Sequence, residues 1–122
     1  MKITFVETAV FTHRIERLGL EDELRALQLE LLKNPRAGRI DPGTGGLRKV
    51  RVSMGGRGKG KRSGARVHYL HLPHAHRAYL IFVYGKDESN TLTSKQKAQL
   101  RLIVDEIKRE VRNMRQVQPS LS

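Results

Sequence analysis

The spacing of apolar residues changes from a strand pattern to a helix pattern early in the chain. Residues 2–6, KITFV, are β-branched and aromatic, which is typical of a short strand. Residues 8–18 then carry apolar side chains at helical spacing, and Gly19 ends this predicted helix. A second helix is predicted from Glu21 to Asn34, before Pro35. The apolar positions of the two helices are Val10, Phe11, Ile15 and Leu18, then Leu20, Leu24, Leu27 and Leu31. We expect an antiparallel helical hairpin.

The middle of the chain follows the two-residue period of strands. Residues 36–46, RAGRIDPGTGG, predict a loop, and residues 47–52, LRKVRV, predict a strand. Strand character resumes at residues 65–72, ARVHYLHL, and PHAH (73–76) predicts a turn. Residues 78–84, AYLIFVY, are almost continuously apolar, as expected of a strand that is covered on both faces.

The last predicted element is a long amphipathic helix. Thr93 and Gln96 fit a capping box at its start. Its apolar positions are Leu100, Ile103, Val104, Ile107, Val111 and Met114. The order of elements predicts an α+β fold with a small antiparallel sheet, helices on one face, and a first strand that rejoins the sheet after the hairpin. We expect one domain at residues 1–115 and a frayed tail at 116–122.

Charge narrows the range of partners. Lys and Arg number 24 against 12 Asp and Glu, which gives a net charge of +12. A chain this basic is attracted to polyanions, and nucleic acid is the usual one. The cations concentrate between Arg36 and Arg66, where ten basic residues surround one acid, Asp41. Six acids lie between Glu7 and Glu30.

A basic glycine-rich segment joins the two central strands. Residues 55–66, GGRGKGKRSGAR, contain five glycines and five cations. The spacing does not fit a phosphate-binding loop before a helix, because a strand follows. One alternative is a plain flexible hairpin loop. The other is a loop whose backbone approaches RNA phosphates while its cations neutralise them. We assign RNA contacts to the loop cations and to one strand residue: Arg57, Lys59, Lys61, Arg62 and Arg48.

The strands beside this loop carry further cations. Lys49 and Arg51 alternate onto one face of their strand, and a hairpin places Arg66 and His68 on the same surface. A solvated sheet face is the alternative to a nucleic-acid surface. We favour the nucleic-acid surface, because like charges that are gathered on one face repel each other and require a compensating benefit.

Other chemistries find little support in the sequence. There is no cysteine, which excludes disulfides and thiolate chemistry. His68 and His71 lie three apart on a strand and face opposite ways, so we expect no metal site there and no metal cofactor. We assign Tyr69 and Tyr84 to the core or its edge. No apolar run approaches the ~20 residues of a membrane span, and the N-terminal residues lack a secretory signal.

Several strings resemble a known family. GLRKVRV (46–52), ARVHYL (65–70) and AYLIFVYGKDE (78–88), with the basic loop and final helix, resemble the RelE/HigB branch of bacterial toxin–antitoxin toxins, particularly the HigB type. NPRAG (34–38) ahead of PGTGGLRKVR (42–51) also fits. The resemblance covers residues 3–112 and implies a RelE-like fold. In that fold, an N-terminal strand and a helical hairpin precede a three-stranded antiparallel meander and a C-terminal helix.

The resemblance also implies a function. RelE-like toxins enter the ribosomal A site of the 70S ribosome and cleave translated mRNA beside the 16S rRNA, without a metal or other cofactor. The 2′-hydroxyl attacks the adjacent phosphate and leaves a 2′,3′-cyclic end. A cognate helix-turn-helix antitoxin, HigA-like in HigB systems, neutralises the toxin, and operator DNA is bound through that complex. The implied location is the bacterial cytoplasm, with no membrane partner.

Site residues follow the resemblance by position. Lys49 and Arg51 match two basic residues of the family's second strand, and Arg66 matches the arginine expected to hold the scissile phosphate. Lys86 lies beside the family's C-terminal basic position, although the residue aligned with the arginine there is Asp87. A long helix replaces the tail that bears the family's catalytic tyrosine.

We consider His68 and Tyr69 as substitutes for that tyrosine in proton transfer. Two other functions stay open. One is a ParE-like toxin that inhibits DNA gyrase without cutting RNA. The other is an RNA-binding module without catalysis.

Overall fold

One mixed sheet organises the computed structural model, which describes residues 2–53, 64–85 and 91–117. Within these ranges the sheet has five strands, in the order β1-β5-β4-β3-β2. The strands are β1 (Thr4–Glu7), β2 (Arg39–Ile40), β3 (Arg48–Val52), β4 (Ala65–Leu72) and β5 (Arg77–Gly85). The strand pairs are antiparallel except β1 with β5, which is parallel. The expected rejoining of the first strand is confirmed, and the purely antiparallel sheet is corrected to a mixed one.

Three helices accompany the sheet in the described part of the chain: α1 (Ala9–Leu18), α2 (Glu21–Lys33) and α3 (Ser94–Val117). The Thr8 hydroxyl caps α1 by accepting from the Phe11 amide at 3.1 Å, and Gly19 ends that helix. The predicted capping box of α3 is confirmed, since the amides of Thr93 and Gln96 each donate to the other side chain. α3 runs two residues into the predicted tail.

The helices lie on both faces of the sheet, which corrects the prediction of one face. α1 and α2 pack their apolar residues with Val67 and Tyr69 of β4, whereas α3 packs with Leu70 and Leu72. The pairing of β4 with β5 shifts by one residue between His68 and Tyr69, where β5 contains the extra residue Ile81 and β4 keeps its alternation. The physical reason for two covered faces is the apolar character of β4 and β5 on both sides, since an exposed apolar face would cost free energy.

A two-residue strand, β2, lies in the segment predicted to be loop. Side chains from the sheet hold this segment in place. The Tyr69 hydroxyl lies 2.9 Å from the Pro35 carbonyl and 2.6 Å from the Ala37 carbonyl, and Arg48 Nη1 donates to the Gly38 carbonyl at 3.0 Å. These contacts join residues that are distant in sequence, so local patterning does not reveal them. Among the described residues, no helix is both long and apolar enough to cross a membrane.

Candidate functional site

Four polar side chains from two adjacent strands share the sheet face that α3 covers. Lys49 of β3 pairs with His68 of β4, and Arg51 pairs with Arg66. Directly paired residues point to the same face of a sheet. Leu70, two residues beyond His68, packs in the cluster that contains α3. The predicted placement of these four residues on one face is confirmed, and we call them the β3–β4 cluster.

Arg66 is the most enclosed cation of the β3–β4 cluster. The residue is only 7% exposed, and its Nη1 donates to the Gly64 carbonyl at 3.3 Å. Its partner on β5 is Tyr84. Burial raises the pKa of Tyr84, and the nearby positive charge of Arg66 opposes that rise. A guanidinium has five N–H donors in a fixed plane, so Arg66 can bind a phosphate group while it keeps the bond to Gly64.

A buried carboxylate joins the β3–β4 cluster to α3. Asp41 Oδ2 lies 2.8 Å from His68 Nε2, and Asp41 Oδ1 lies 2.9 Å from Lys97 Nζ. His68 is fully buried and Asp41 nearly so. One acidic residue therefore links the turn after β2, the middle of the sheet and the first turns of α3.

The turn from Asp41 to Leu47 positions this carboxylate. The Thr44 hydroxyl donates to the Asp41 carbonyl at 2.7 Å and accepts from the Leu47 amide at 3.1 Å. The Asp41 amide closes the turn by donating to the Leu47 carbonyl at 2.8 Å. Thr44 is fully buried. The turn is thus fixed by its own hydrogen bonds, and Asp41 is held against the sheet rather than in solvent.

The protonation states of the pair follow from these contacts. Burial raises the pKa of Asp41, but hydrogen bonds from His68 and Lys97 and their charges outweigh it, so the pKa lies below its usual value. Burial lowers the pKa of His68, assisted by the charges of Lys49 and Lys97 and opposed by Asp41. At neutral pH the pair is therefore a carboxylate beside a neutral imidazole.

Tyr84 stacks on His68 and completes the interior of the site. The ring centroids lie 5.8 Å apart with an interplanar angle of 22°. Among the described residues, two buried side-chain polar atoms have no hydrogen-bond partner, and they belong to these two rings: His68 Nδ1 and the Tyr84 hydroxyl. Buried polar atoms are nearly always paired, so these two neighbouring atoms are candidates to bind a group from outside the protein.

Two of the predicted site residues lie away from the β3–β4 cluster. Tyr69 points to the opposite face, where its hydroxyl contacts main-chain carbonyls and burial raises its pKa to about 12. The structure thus separates the Tyr69 hydroxyl from the β3–β4 cluster. Arg48 also lies on that face and donates to the carbonyls of Arg36 and Gly38, which separates it from the cluster. The remaining predicted residues lie outside the described residues: Arg57, Lys59, Lys61, Arg62 and Lys86.

The histidines do not converge. His71 faces away from His68, near Arg36 and Arg48, and His74 lies in the turn between β4 and β5. In the described part of the chain, no group of three or more His, Asp or Glu residues could hold a metal ion. His68 instead pairs with an acid that is 27 residues earlier in the chain.

Sequence reasoning missed Asp41, Lys97 and the role of Tyr84. One signal pointed to Asp41, which is the single acid among ten cations between Arg36 and Arg66. A lone carboxylate in such a segment is expected to find a cation or a histidine nearby. No comparable signal marked Tyr84 or Lys97.

The arrangement is suited to an anionic ligand. Lys49, Arg51 and Arg66 supply positive charge from a rigid sheet, and His68 supplies a neutral nitrogen with a lone pair next to them. Fixed cations stabilise negative charge that develops on a bound group, and a neutral imidazole can accept a proton. No protein-family model matches this chain.

Proposed function

We propose that this protein is the toxin of a type II toxin–antitoxin system and acts as a ribosome-dependent mRNA endoribonuclease. The observation that supports the proposal best is the β3–β4 cluster, in which three cations and a neutral histidine share one face of a rigid sheet. The strings that resemble RelE/HigB toxins supply the kind of substrate. In this proposal the α+β fold is RelE-like, with β3, β4 and β5 as the antiparallel meander.

The cluster suits RNA cleavage without a metal ion. The 2′-oxygen of one nucleotide attacks the adjacent phosphorus, and the bond from phosphorus to the 5′-oxygen of the next nucleotide breaks. Arg66, Lys49 and Arg51 stabilise the extra negative charge of the pentacovalent phosphorane. The 2′-hydroxyl gives its proton to His68, and the leaving 5′-oxygen takes a proton from solvent. The products are a 2′,3′-cyclic phosphate and a free 5′-hydroxyl.

The proposal includes the partners that the resemblance implies. The protein acts in the A site of the 70S ribosome, in contact with 16S rRNA and mRNA, in the bacterial cytoplasm. A cognate HigA-like helix-turn-helix antitoxin neutralises it and carries it to operator DNA. The loop cations Arg57, Lys59, Lys61 and Arg62 bind RNA phosphates, and Lys86 is a further contact to the scissile region.

The test is cleavage of translated mRNA, mapped by primer extension on purified ribosomes that carry a defined message. The wild-type protein is expected to cut within the A-site codon. Arg66→Ala should lower the single-turnover rate by about 10²–10³-fold, as for the loss of one group that stabilises transition-state charge. Arg25→Ala removes the same charge from the exposed surface of α2 and should leave the rate unchanged.

Two results would overturn the proposal. If wild-type protein leaves the message intact while it stalls DNA gyrase, the protein is a ParE-like inhibitor. If it binds RNA with high affinity but neither cuts mRNA nor affects gyrase, it is an RNA-binding module. Circular dichroism of Arg66→Ala controls for unfolding, because the Arg66 side chain is largely buried.

A further inference from the structure

We propose that Asp41 is a positioning residue for His68, and that it holds the imidazole with its proton on Nε2 so that Nδ1 is the proton acceptor of the site. This inference rests on the proposed function. The two residues are 27 positions apart in the chain, and the fold brings them to 2.8 Å. The structure thus adds a carboxylate to a site that the sequence presents as purely cationic.

The first step of the argument is the direction of the hydrogen bond. An ionised carboxylate only accepts hydrogen bonds, so the 2.8 Å contact requires a proton on His68 Nε2. The second oxygen of Asp41 accepts from Lys97 Nζ at 2.9 Å, which fixes the plane of the carboxylate. The main chain of Asp41 is held in turn by Thr44 and Leu47. The acceptor therefore has one orientation, and His68 has one favoured tautomer.

The second step concerns the other nitrogen. A neutral imidazole with its proton on Nε2 carries a lone pair on Nδ1. Nδ1 is buried and lacks a hydrogen-bond partner within the described parts of the chain. An unpaired buried acceptor is costly, and a catalytic role is one of the reasons for which proteins keep one. The hydroxyl of the stacked Tyr84 is also unpaired, so a donor and an acceptor belong to adjacent rings.

The third step is the charge around the imidazole. The groups that face His68 come from every element packed on it: Asp41 in the turn, Lys49 on β3, Arg66 on its own strand, Tyr84 on β5 and Lys97 on α3. Among these groups, Asp41 alone supplies a negative charge at neutral pH. When Nδ1 accepts a proton, the resulting imidazolium lies among cations, and Asp41 offsets that repulsion. The carboxylate thus acts on the protonated state as well as on the tautomer.

A 2′-hydroxyl of the RNA has both the donor that Nδ1 lacks and an acceptor for the Tyr84 hydroxyl. It donates its proton to Nδ1 while its oxygen accepts from the Tyr84 hydroxyl. As the oxygen–phosphorus bond forms, the proton moves to Nδ1 and the bond to the 5′-oxygen breaks. His68 is fully buried in this structure, so neighbouring side chains must shift before the hydroxyl reaches it.

A double-mutant cycle tests the inference. Single-turnover cleavage of ribosome-bound mRNA is measured for wild type, Asp41→Asn, His68→Gln and the double variant. The loss of a proton-transfer group costs about 10²–10⁴-fold, so His68→Gln should fall in that range, and Asp41→Asn should lower the rate by at least about tenfold. The double variant should be no slower than His68→Gln, because Asp41 acts only through His68.

Lys108→Met is the matched structural control. Lys108 Nζ donates to the Gly45 carbonyl at 3.2 Å, so it also ties α3 to the 41–47 turn, whereas the Asp41 carboxylate bonds to His68 and Lys97. If Asp41 served only to hold the turn, Lys108→Met would slow cleavage as much as Asp41→Asn. We expect Lys108→Met to stay within about threefold of wild type, since a single-turnover rate at saturation does not report binding.

Nuclear magnetic resonance of the imidazole nitrogens gives a readout that does not depend on cleavage. Wild type and Lys108→Met should show His68 protonated on Nε2 at pH 7. Asp41→Asn should show a further lowered pKa of His68, because the carboxylate that favours the imidazolium is gone. The acid limb of the pH–rate profile should move to lower pH in the same variant.

The outcomes separate the two proposals. Cleavage by wild type, with additive losses in the double variant or with His68 protonated on Nδ1, overturns the role of Asp41 and leaves the proposed function standing. Absence of cleavage by wild type overturns the proposed function and, with it, proton transfer by His68. Non-additive losses together with the Nε2 tautomer support the inference.

Discussion

Two histidines with lowered pKa values couple the stability of the fold to pH. Burial is the main cause of the lowered pKa of His68. Burial, together with the charges of Arg36 and Arg48, lowers the pKa of His71. The unfolded chain binds a proton at each histidine near its ordinary pKa of about 6.5, whereas the folded chain binds it only at lower pH. The unfolded state therefore holds more protons in this window, and its free energy falls relative to that of the folded state as pH decreases.

The free energy of unfolding is expected to reach its full value above about pH 6.5 and to decrease as the pH falls toward the lowered pKa values of the two histidines. Each histidine contributes at most about 1.4 kcal/mol per pH unit. Denaturant titrations at pH 7 and pH 5 measure the loss. His68→Gln should flatten this dependence, whereas His74→Gln, at an exposed position, should preserve it. An unchanged pH dependence in His68→Gln would contradict the assignment.

At the same scale, individual site residues differ in how far the sequence could predict them. Lys49, Arg51 and Arg66 could be placed together, because strand alternation and a hairpin are local rules. Asp41 could not be paired with His68, since their contact depends on how a seven-residue turn folds back on the sheet. Tyr69 is a candidate both for the core and for proton transfer on sequence grounds, and strand alternation places it opposite His68, against the helical hairpin.

Among the elements, β2 depends on one glycine. Gly38 has a φ of +81°, and a Cβ there would lie 2.3 Å from the Lys49 carbonyl oxygen. Lys49 pairs with Arg39 of β2, so the two backbones would have to separate. Gly19 has a φ of +67°, and an alanine Cβ at that position would have no atom within 4 Å. Substitution of Gly19 is therefore a control for backbone strain alone.

Gly38→Ala should therefore destabilise the protein more than Gly19→Ala. Strain at positive φ costs about 1–2 kcal/mol in either variant. The backbone contact at Gly38 should add to that, for a total of about 3 kcal/mol or more. Denaturant unfolding measures both variants, and amide hydrogen exchange of residues 48–49 reports whether β2 has separated from β3. Equal losses in the two variants would show that the close approach has no energetic consequence.

Element boundaries were predicted well where local chemistry sets them. The residues from Ala65 to Leu72 form β4 as predicted, and Gly19 ends α1 as predicted. The side of the sheet that each helix covers was predicted less well. The apolar run of β5 already indicated cover on both faces, yet a pattern of strands and helices does not say which helix supplies which side. That choice depends on packing across the whole chain.

On the scale of the whole molecule, the two faces of the sheet differ in charge. α2 lies on the face opposite the β3–β4 cluster and carries Glu21, Asp22 and Glu23 in its first turn. The cluster lies on the other face, beneath α3. The acidic first turn of α2 therefore lies on the side away from Arg66, whereas the acids of α3, Asp105, Glu106 and Glu110, lie on the same side as the cluster. Acids at the start of α2 repel a polyanion, so they favour its approach from the other side of the sheet.

Under the proposed function, this orientation predicts how salt and substitutions act on binding to ribosomes. Each neutralised phosphate contributes about −0.7 to −0.9 to the slope of log K against log salt concentration. In the proposed function the glycine-rich segment 55–66 supplies cations for affinity, so Arg57→Ala should weaken binding several-fold and reduce the slope by about one contact. Because neighbouring cations remain, the single-turnover cleavage rate of Arg57→Ala at saturating ribosome should equal that of wild type.

Arg66→Ala should behave differently. Its salt slope should change by a similarly small amount, but its cleavage rate should fall strongly. A salt titration of binding, paired with single-turnover cleavage of the same variants, measures both quantities. If Arg57→Ala abolished cleavage at saturation, the segment would take part in the chemical step, and the division between an anchoring loop and a reactive sheet face would be wrong.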